Sequence, residues 1–272
     1  MIVFPNCKIN LGLHILRKRE DGYHDLQTVF YPVPLTDALE IIPAPSGSDV
    51  EFSLSGTPIN AAAADNICVK AYELLKKDFP DLPAIKLHLH KLIPSGAGLG
   101  GGSADGAFTL QLLVRQFALP VTEQQLLEYA AKLGSDCAFF IKNKPCFASG
   151  RGEILEEITL DLSGYKMVII HPGIHVPTGW AFGQLKPQED RPSLKQIIAQ
   201  PIETWRNDLT NDFEDAIFKK YPEIAAVKEQ LYAAGAIYAS MSGSGSSVYG
   251  LFSKGTSFTP TLPPHYFFKE IS

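Results

Sequence analysis

Hydrophobic and polar positions alternate most strictly in Lys8-Ile9-Asn10-Leu11-Gly12-Leu13-His14-Ile15. Ile9, Leu11, Leu13 and Ile15 fall on one face and Lys8, Asn10, Gly12 and His14 on the other, which predicts a half-buried strand. Leu26 to Tyr31 has strand character too, and Asp21-Gly22 supplies a turn between the two runs. Ile85-Lys86-Leu87-His88-Leu89-His90 alternates again. Ala44 to Gly56 reads as a Pro/Ser/Gly-rich loop carrying a short strand at Val50-Glu51-Phe52. Helical spacing predicts a helix through Ala71–Leu75, capped by Asp65 or Asn66, and another through Ala107–Leu113. Thr122-Glu123-Gln124-Gln125 is a capping box for a third helix, which Gly134 ends.

The second half opens with a buried strand, Met167–Pro172. Residues 186–191 read as a polar linker, and helices follow near Phe213–Phe218 and from Pro222 to Gly235. Strands Ile237–Met241 and Val248–Phe252 flank the small-residue loop Ser242–Ser247, and Tyr266-Phe267-Phe268 forms a short edge strand. Helix, strand, loop and strand in this order predict a ferredoxin-like second lobe in an α+β protein.

Between the strand ending at His90 and the helix at Ala107 lies Ile93-Pro94-Ser95-Gly96-Ala97-Gly98-Leu99-Gly100-Gly101-Gly102-Ser103-Ala104-Asp105-Gly106. Glycines let backbone N–H groups turn toward a ligand, and the helix N-terminus favours an anion. A plain turn needs one or two glycines, so the run predicts a polyphosphate site. Three familiar phosphate loops fit poorly. The P-loop requires a lysine where Gly102 stands. Gly96 to Gly101 matches G-x-G-x-x-G, but the preceding strand alternates, and Glu123, at roughly the dinucleotide-fold distance, opens a helix. The protein-kinase glycine loop joins two strands, whereas this one enters a helix.

The 272 residues suffice for one large or two modest domains. An apolar fraction of 45% and a charged fraction of 19% are those of a globular protein. A net charge of −5 argues against a general nucleic-acid or membrane-surface binder, so a polyphosphate must be held by a local positive field. No apolar run approaches membrane-spanning length, and Met1–Pro5 reads as a strand start, not a signal peptide. Cys7, Cys68, Cys137 and Cys146 lack C-x-x-C spacing, which predicts reduced thiols and a cytoplasmic location. No His/Cys cluster has zinc spacing.

Pro94-Ser95-Gly96-Ala97-Gly98-Leu99-Gly100-Gly101-Gly102-Ser103-Ala104 closely resembles the ATP loop of the GHMP kinases, the family of galactokinase, homoserine kinase and mevalonate kinase. Triple glycine followed by Ser-Ala-Asp resembles the branch that phosphorylates 4-diphosphocytidyl-2-C-methyl-D-erythritol. Four further segments resemble motifs of that branch, in the same order: Phe4–Leu11 with Cys7 where alanine is more usual, Gly22–Thr28, Gly134–Phe140, and Pro172–Phe182. Ser242–Ser247 is similar to the third family motif, which packs against the phosphate loop.

The resemblance implies a two-lobe fold, with a ribosomal protein S5 domain 2-like N-terminal lobe over residues 1–160 and a ferredoxin-like C-terminal lobe over residues 161–272. It implies that the γ-phosphate of ATP passes to the 2-hydroxyl of 4-diphosphocytidyl-2-C-methyl-D-erythritol. Asp136 is then the proton acceptor, and Lys8 pairs with Asp136 and the γ-phosphate. Asn10, Tyr23, His24, Thr178 and Phe182 fall in the substrate-binding segments. Tyr23 and Phe182 face the cytosine ring, and His24 reads its polar edge; Trp180 is expected in the core. Mg²⁺ bridges the phosphate oxygens and touches Ser103 or waters, with no dedicated metal cage in the sequence. Arg151, in a tight turn, is expected to form an ion pair within its lobe. A monomer or weak homodimer is expected. Two other readings compete: a GHMP kinase for mevalonate, homoserine or a sugar, which would not require the aromatic set, and a non-catalytic nucleotide sensor, which would not require both Lys8 and Asp136.

Overall fold

A computed structural model of the chain describes residues 1–45, 49–59 and 62–272. Part of the loop expected over Ala44–Gly56, Ser46 to Ser48, lies outside the described residues. Along the chain come β1 (Ile2–Val3), β2 (Asn6–Lys18), β3 (His24–Thr36), β4 (Ala38–Pro43) and β5 (Val50–Gly56), then α1 (Ile67–Asp78). β6 (Ile85–Lys91) leads through the glycine loop into α2 (Gly101–Gln116), α3 (Glu123–Leu133) and α4 (Cys137–Lys142). A hairpin of β7 (Cys146–Ser149) and β8 (Ile154–Glu157) precedes β9 (Tyr165–His171) and the helices α5 (Thr178–Gly183), α6 (Leu194–Ile198), α7 (Trp205–Asp208), α8 (Glu214–Lys220) and α9 (Pro222–Ala233). Strands β10 (Tyr238–Met241), β11 (Val248–Ser253) and β12 (Phe267–Ile271) close the chain.

These elements form two compact units that interleave in sequence. One unit holds Met1–Cys7, Pro32–Ser95 and Gly100–Lys144; the other holds Lys8–Tyr31, Gly96–Leu99 and Pro145–Ser272. In the first, a sheet of order β1-β4-β6-β5 has one parallel pair, β5 with β6. Leu39, Ile41, Ile85, Leu87 and Leu89 are its buried side chains. α1 packs on α2, and α2 on α3 and α4, and these helices also bury Val69, Tyr72, Leu75, Leu110 and Leu113. Asn66 caps α1 by accepting from Cys68 N at 2.9 Å, so of the two sequence candidates it is the cap. The Thr122–Gln125 capping box starts α3 as its sequence predicts.

In the second unit, β10-β11-β9-β12 is an antiparallel sheet. Numbered along the chain from β9, this is the strand order 2-3-1-4 of a ferredoxin-like sheet. The crossover from β11 to β12 carries no helix, because Thr259 to Pro264 include three prolines, each lacking the N–H a helix needs. α8 and α9 supply Ile217, Ile224, Val227 and Leu231 to a core shared with Val168, Ile170, Val248 and Phe252. β2 differs from its expected pattern: every residue from Cys7 to Ile15 is buried, so its polar face does not meet water. No described helix is long and apolar enough to cross a membrane.

Candidate active site

The glycine loop is built by what binds its carbonyls. In the second unit, Lys8 N donates to Leu99 O at 2.9 Å, Ser247 N to Ala97 O at 3.1 Å, and Ser242 Oγ to Gly98 O at 2.8 Å. Three consecutive carbonyls are thus turned into protein. A trans peptide points its N–H opposite to its C=O, so the amides of Gly98, Leu99 and Gly100 are aimed the other way. Amides aligned in this way suit an anion. Gly98 sits at φ +79°, and a Cβ there would lie 2.0 Å from Ser242 O. Only glycine allows the two loops to approach so closely.

In the first unit, the loop becomes a helix earlier than its sequence suggests. α2 begins at Gly101, with Gly100 as a left-handed N-cap at φ 68°. Gly101, Gly102 and Ser103 are therefore the first helical turn, whose N–H groups lack intrahelical acceptors. Glycine's weak helix propensity hid this start; the helix-forming residues from Ala104 onward carry it back into the glycine run. Cys137, at the start of α4, is buried, and burial pushes its thiol up to about 12. Asp136, the residue before Cys137, is the half-buried N-cap position of α4. Ser135 Oγ donates to Asp136 Oδ1 at 3.5 Å. α2 and α4 pack on each other, so the helix that opens in the glycine run and the helix that Asp136 caps are neighbours in the first unit.

Lys8 and Asn10, in the second unit, are 3% exposed each, not on a solvated face. Lys8 Nζ donates to Asn10 Oδ1 at 2.6 Å and lies 4.8 Å from the centre of the Phe30 ring. Asn10 Nδ2 donates to Thr28 Oγ1 at 2.9 Å, and Thr28 passes the bond on to Gly12 O at 2.6 Å. Asn10 N donates to Ser242 Oγ at 3.1 Å, and Tyr249 OH to Asn10 O at 2.8 Å. The polar face of β2 is dry because its groups are satisfied internally. Thr28, Ser242 and Tyr249 are absent from the sequence-based site. The sequence offers only a faint signal for them: a threonine one turn of alternation beyond Gly22-Tyr23-His24, and a serine opening the third motif.

The aromatic set also belongs to the second unit. His24 stacks on Phe182 with centroids 5.3 Å apart and planes at 23°, and Phe213 meets Phe182 edge-on at 5.0 Å. Burial, and secondarily Lys18, lowers the His24 pKa. Tyr23 is 58% exposed, and the Arg151 guanidinium lies 4.9 Å from its ring centre. Arg151 also pairs with Glu153 at 3.6 Å, the ion pair expected for it. Thr178 starts α5 and its Oγ1 lies 3.2 Å from Ser244 Oγ. Trp180 is half-buried, packed on the core edge-on to Tyr221, with Lys220 Nζ 3.8 Å from its ring centre. Among the described residues, no group of three His, Cys, Asp or Glu is placed to hold a metal ion.

Comparison with known proteins gives a consistent result. The GHMP kinase N-terminal domain family matches residues 66–144, and the GHMP kinase C-terminal family matches residues 193–257. A protein of Bacteroides fragilis named 4-diphosphocytidyl-2-C-methyl-D-erythritol kinase is 55% identical over 255 residues, 93% of this chain and 92% of that one. A protein of the same name from Bacteroides thetaiotaomicron is 55% identical over 254 residues, again 93% and 92%. A crystal structure titled 4-(cytidine 5'-diphospho)-2C-methyl-D-erythritol kinase shares 32% identity with a TM-score of 0.79, covering 92% of this chain and 90% of that chain. With a phosphate-type loop entering a helix and matches of this extent, the chain belongs to the GHMP kinase family.

Proposed function

We infer that this chain is an ATP-dependent kinase that transfers the γ-phosphate to the 2-hydroxyl of 4-diphosphocytidyl-2-C-methyl-D-erythritol. Relatives of that name at 55% identity support the reaction. The observation that separates this substrate from mevalonate, homoserine and sugars is the aromatic set of Tyr23, His24 and Phe182, since only the cytidyl substrate offers a nucleobase. The 5.3 Å between the His24 and Phe182 centroids is too small for a base between them; two stacking layers require roughly 7 Å. His24 therefore reads the polar edge of the cytosine, while the faces of Phe182 and Tyr23 stack on it. Thr178 and Asn10 line the substrate.

The phosphates of ATP lie along Pro94 to Ala104, on the amides of Gly98 to Gly100 and the first turn of α2. Asp136 orients the acceptor hydroxyl. A carboxylate is too weak a base to deprotonate a free alcohol outright; in a loose phosphoryl transfer it takes the proton late, as the new P–O bond makes the hydroxyl acidic. Lys8, fixed by Asn10, offsets charge on the transferring phosphate. Mg²⁺ accompanies ATP and neutralises its phosphate oxygens. When bound, the ion would be held by phosphate oxygens and by the Ser103 hydroxyl or waters, in keeping with magnesium's reluctance to dehydrate.

The family matches at 66–144 and 193–257 fall on either side of residue 160 and support a division of the sequence into 1–160 and 161–272, while residues 8–31, 96–99 and 145–160 of the first part belong to the second compact unit. Four buried, unbridged cysteines and the use of ATP support a cytoplasmic setting.

The test is ATP consumption by the purified protein with the cytidyl substrate, mevalonate or homoserine. Turnover with the cytidyl substrate alone is expected. Turnover with mevalonate or homoserine in its place would overturn the assignment.

A further inference from the structure

A buried charged triad lies behind the glycine loop, in the first unit. Lys91, the last residue of β6, is 1% exposed and donates from Nζ to Asp37 Oδ2 and, at 2.8 Å, to Asp105 Oδ2. Asp37 and Asp105 are equally buried. The second oxygen of Asp37 accepts from Leu92 N at 2.6 Å and Ile93 N at 2.9 Å, the two amides just before Pro94. Asp105 belongs to α2, one turn past Gly101. At Gly101 a Cβ would come within 3.3 Å of Lys91 Nζ and 2.8 Å of Ile93 Cγ2, so the helix start rests directly on the triad.

We propose that Asp37, Lys91 and Asp105 are positioning residues that clamp both ends of the glycine loop and thereby set its register for ATP. This rests on the reading of Pro94 to Ala104 as the ATP loop. Charge in this position is otherwise hard to explain. Taking three ionisable groups out of water costs more than an apolar replacement of the same volume, so stability alone does not account for them. What a triad adds is direction: the ammonium reaches two carboxylates at fixed angles, and one of those carboxylates reaches two backbone amides. The segment before the loop and the helix after it are thus referred to a single nitrogen atom. A second observation agrees. Asp105 Oδ1 has no hydrogen-bond partner, so its carboxyl is placed to meet Lys91 rather than to satisfy itself. Burial pushes the Asp105 carboxyl up to about 7, against the pull of Lys91. The Asp37 carboxylate also faces it and adds to the rise, and Cys68 on α1 faces it too, its thiol kept protonated by burial.

Asp105→Leu cuts the link to α2 and leaves the Lys91–Asp37 pair intact. It should reduce kcat/KM for ATP by about 10²-fold, the effect of a displacement of an ångström or so, while the KM of the phosphate acceptor stays within threefold. Asp105→Asn, which still accepts from Lys91, should restore ATP kcat/KM to within about fivefold of the parent. A merely structural role would lower the melting temperature without dividing the two substrates in this way. Should Asp105→Leu not fold, the triple variant Asp37→Asn, Lys91→Met, Asp105→Asn removes all charge at nearly constant volume, and the same ATP-specific loss is expected. Amide exchange of Gly100 to Ala104 in the ATP-free protein is the independent readout, and faster exchange in the folded variant is expected. Unchanged loop exchange, or unchanged ATP kcat/KM in a folded variant, overturns the clamp. A parent protein that consumes no ATP overturns the kinase reading instead, and the exchange result still decides the clamp.

Discussion

Two alanine substitutions in the glycine loop should have opposite effects on stability. At Gly98 the backbone is left-handed, φ +79°, and the added methyl would stand 2.0 Å from Ser242 O and 3.2 Å from Gly245 O. The conformation alone costs an alanine about 1–2 kcal/mol. The contact cannot be absorbed by a side-chain rotation, because the facing atoms are backbone. The loops must part, which also breaks the Ser242 Oγ to Gly98 O bond, worth about 1 kcal/mol. Gly98→Ala should therefore destabilise by roughly 2–4 kcal/mol, lowering the melting temperature on the order of 5–15 °C. A substitution there disturbs the loop pair before it obstructs any phosphate. At Gly102, in the first turn of α2, nothing lies within 4 Å of the added Cβ. Gly102→Ala should be neutral or stabilising by about 0.5–1 kcal/mol. It should still raise the KM for ATP about tenfold or more, because the methyl enters space the phosphates occupy. Thermal unfolding and ATP titration of both variants test this. A fully stable Gly98→Ala protein would refute the loop contact, and an unchanged ATP KM in Gly102→Ala would place the phosphates away from the α2 N-terminus.

Asp136→Asn should keep the ATP KM and lose about 10²–10⁴-fold in kcat, the usual range for a general acid–base group; near-normal turnover removes Asp136 from the mechanism. Phe182→Ala and Tyr23→Ala should each lower kcat/KM for the cytidyl substrate roughly ten- to a hundredfold, from stacking worth about 1–3 kcal/mol, and leave the ATP KM alone. Trp180→Ala should lower the melting temperature and spare specificity; a selective loss of cytidyl substrate there would reassign the stacking face. Stability should fall on acidification from pH 6.5 toward 4. His14 and His171 are each lowered to about 4, chiefly by burial, so the unfolded chain takes up protons first. Asp105, raised to about 7, acts oppositely, and its contribution is lost as pH rises through 7. Denaturant titrations across pH 4–8 read both limbs, and a flat acid limb in the parent would contradict the histidine assignment.

Much of this arrangement was legible in the sequence, and the reasons differ by element. The strands at Ile9–Ile15 and Ile85–His90 follow from period-two alternation, and the α3 start from its capping box. Short helices were not legible. α4 and α5 span six residues each, too short for a periodic signal, and they hold their shape through packing. Alternation by itself does not show where polar residues satisfy one another: Lys8 and Asn10 have the parity of a polar face and lie in a dry hydrogen-bond network. Lys91 shows the opposite case. It continues the buried parity of Ile85, Leu87 and Leu89 on β6, so a lysine at that place in the alternation signals a paired interior charge. Its partners, Asp37 and Asp105, lie 54 and 14 residues away, and no local pattern names them.

The glycine run shows why a motif read by itself remains incomplete. Glycines permit the backbone of Gly96 to Gly100 to turn, but permission does not select one direction. Direction comes from the donors that take up the carbonyls of Ala97, Gly98 and Leu99: a backbone amide of β2, a side chain of the Ser242 loop and an amide just before β11. Each donor is at least 91 residues in sequence from the carbonyl it binds, so none is visible in the loop's own composition. Once those carbonyls are fixed, planarity of the peptide leaves the amides only one way to point. The direction of the loop's amides is therefore a property of the first and third motifs acting on the second. That accounts for a serine-rich third loop which, judged by its own sequence, is only a flexible hairpin tip.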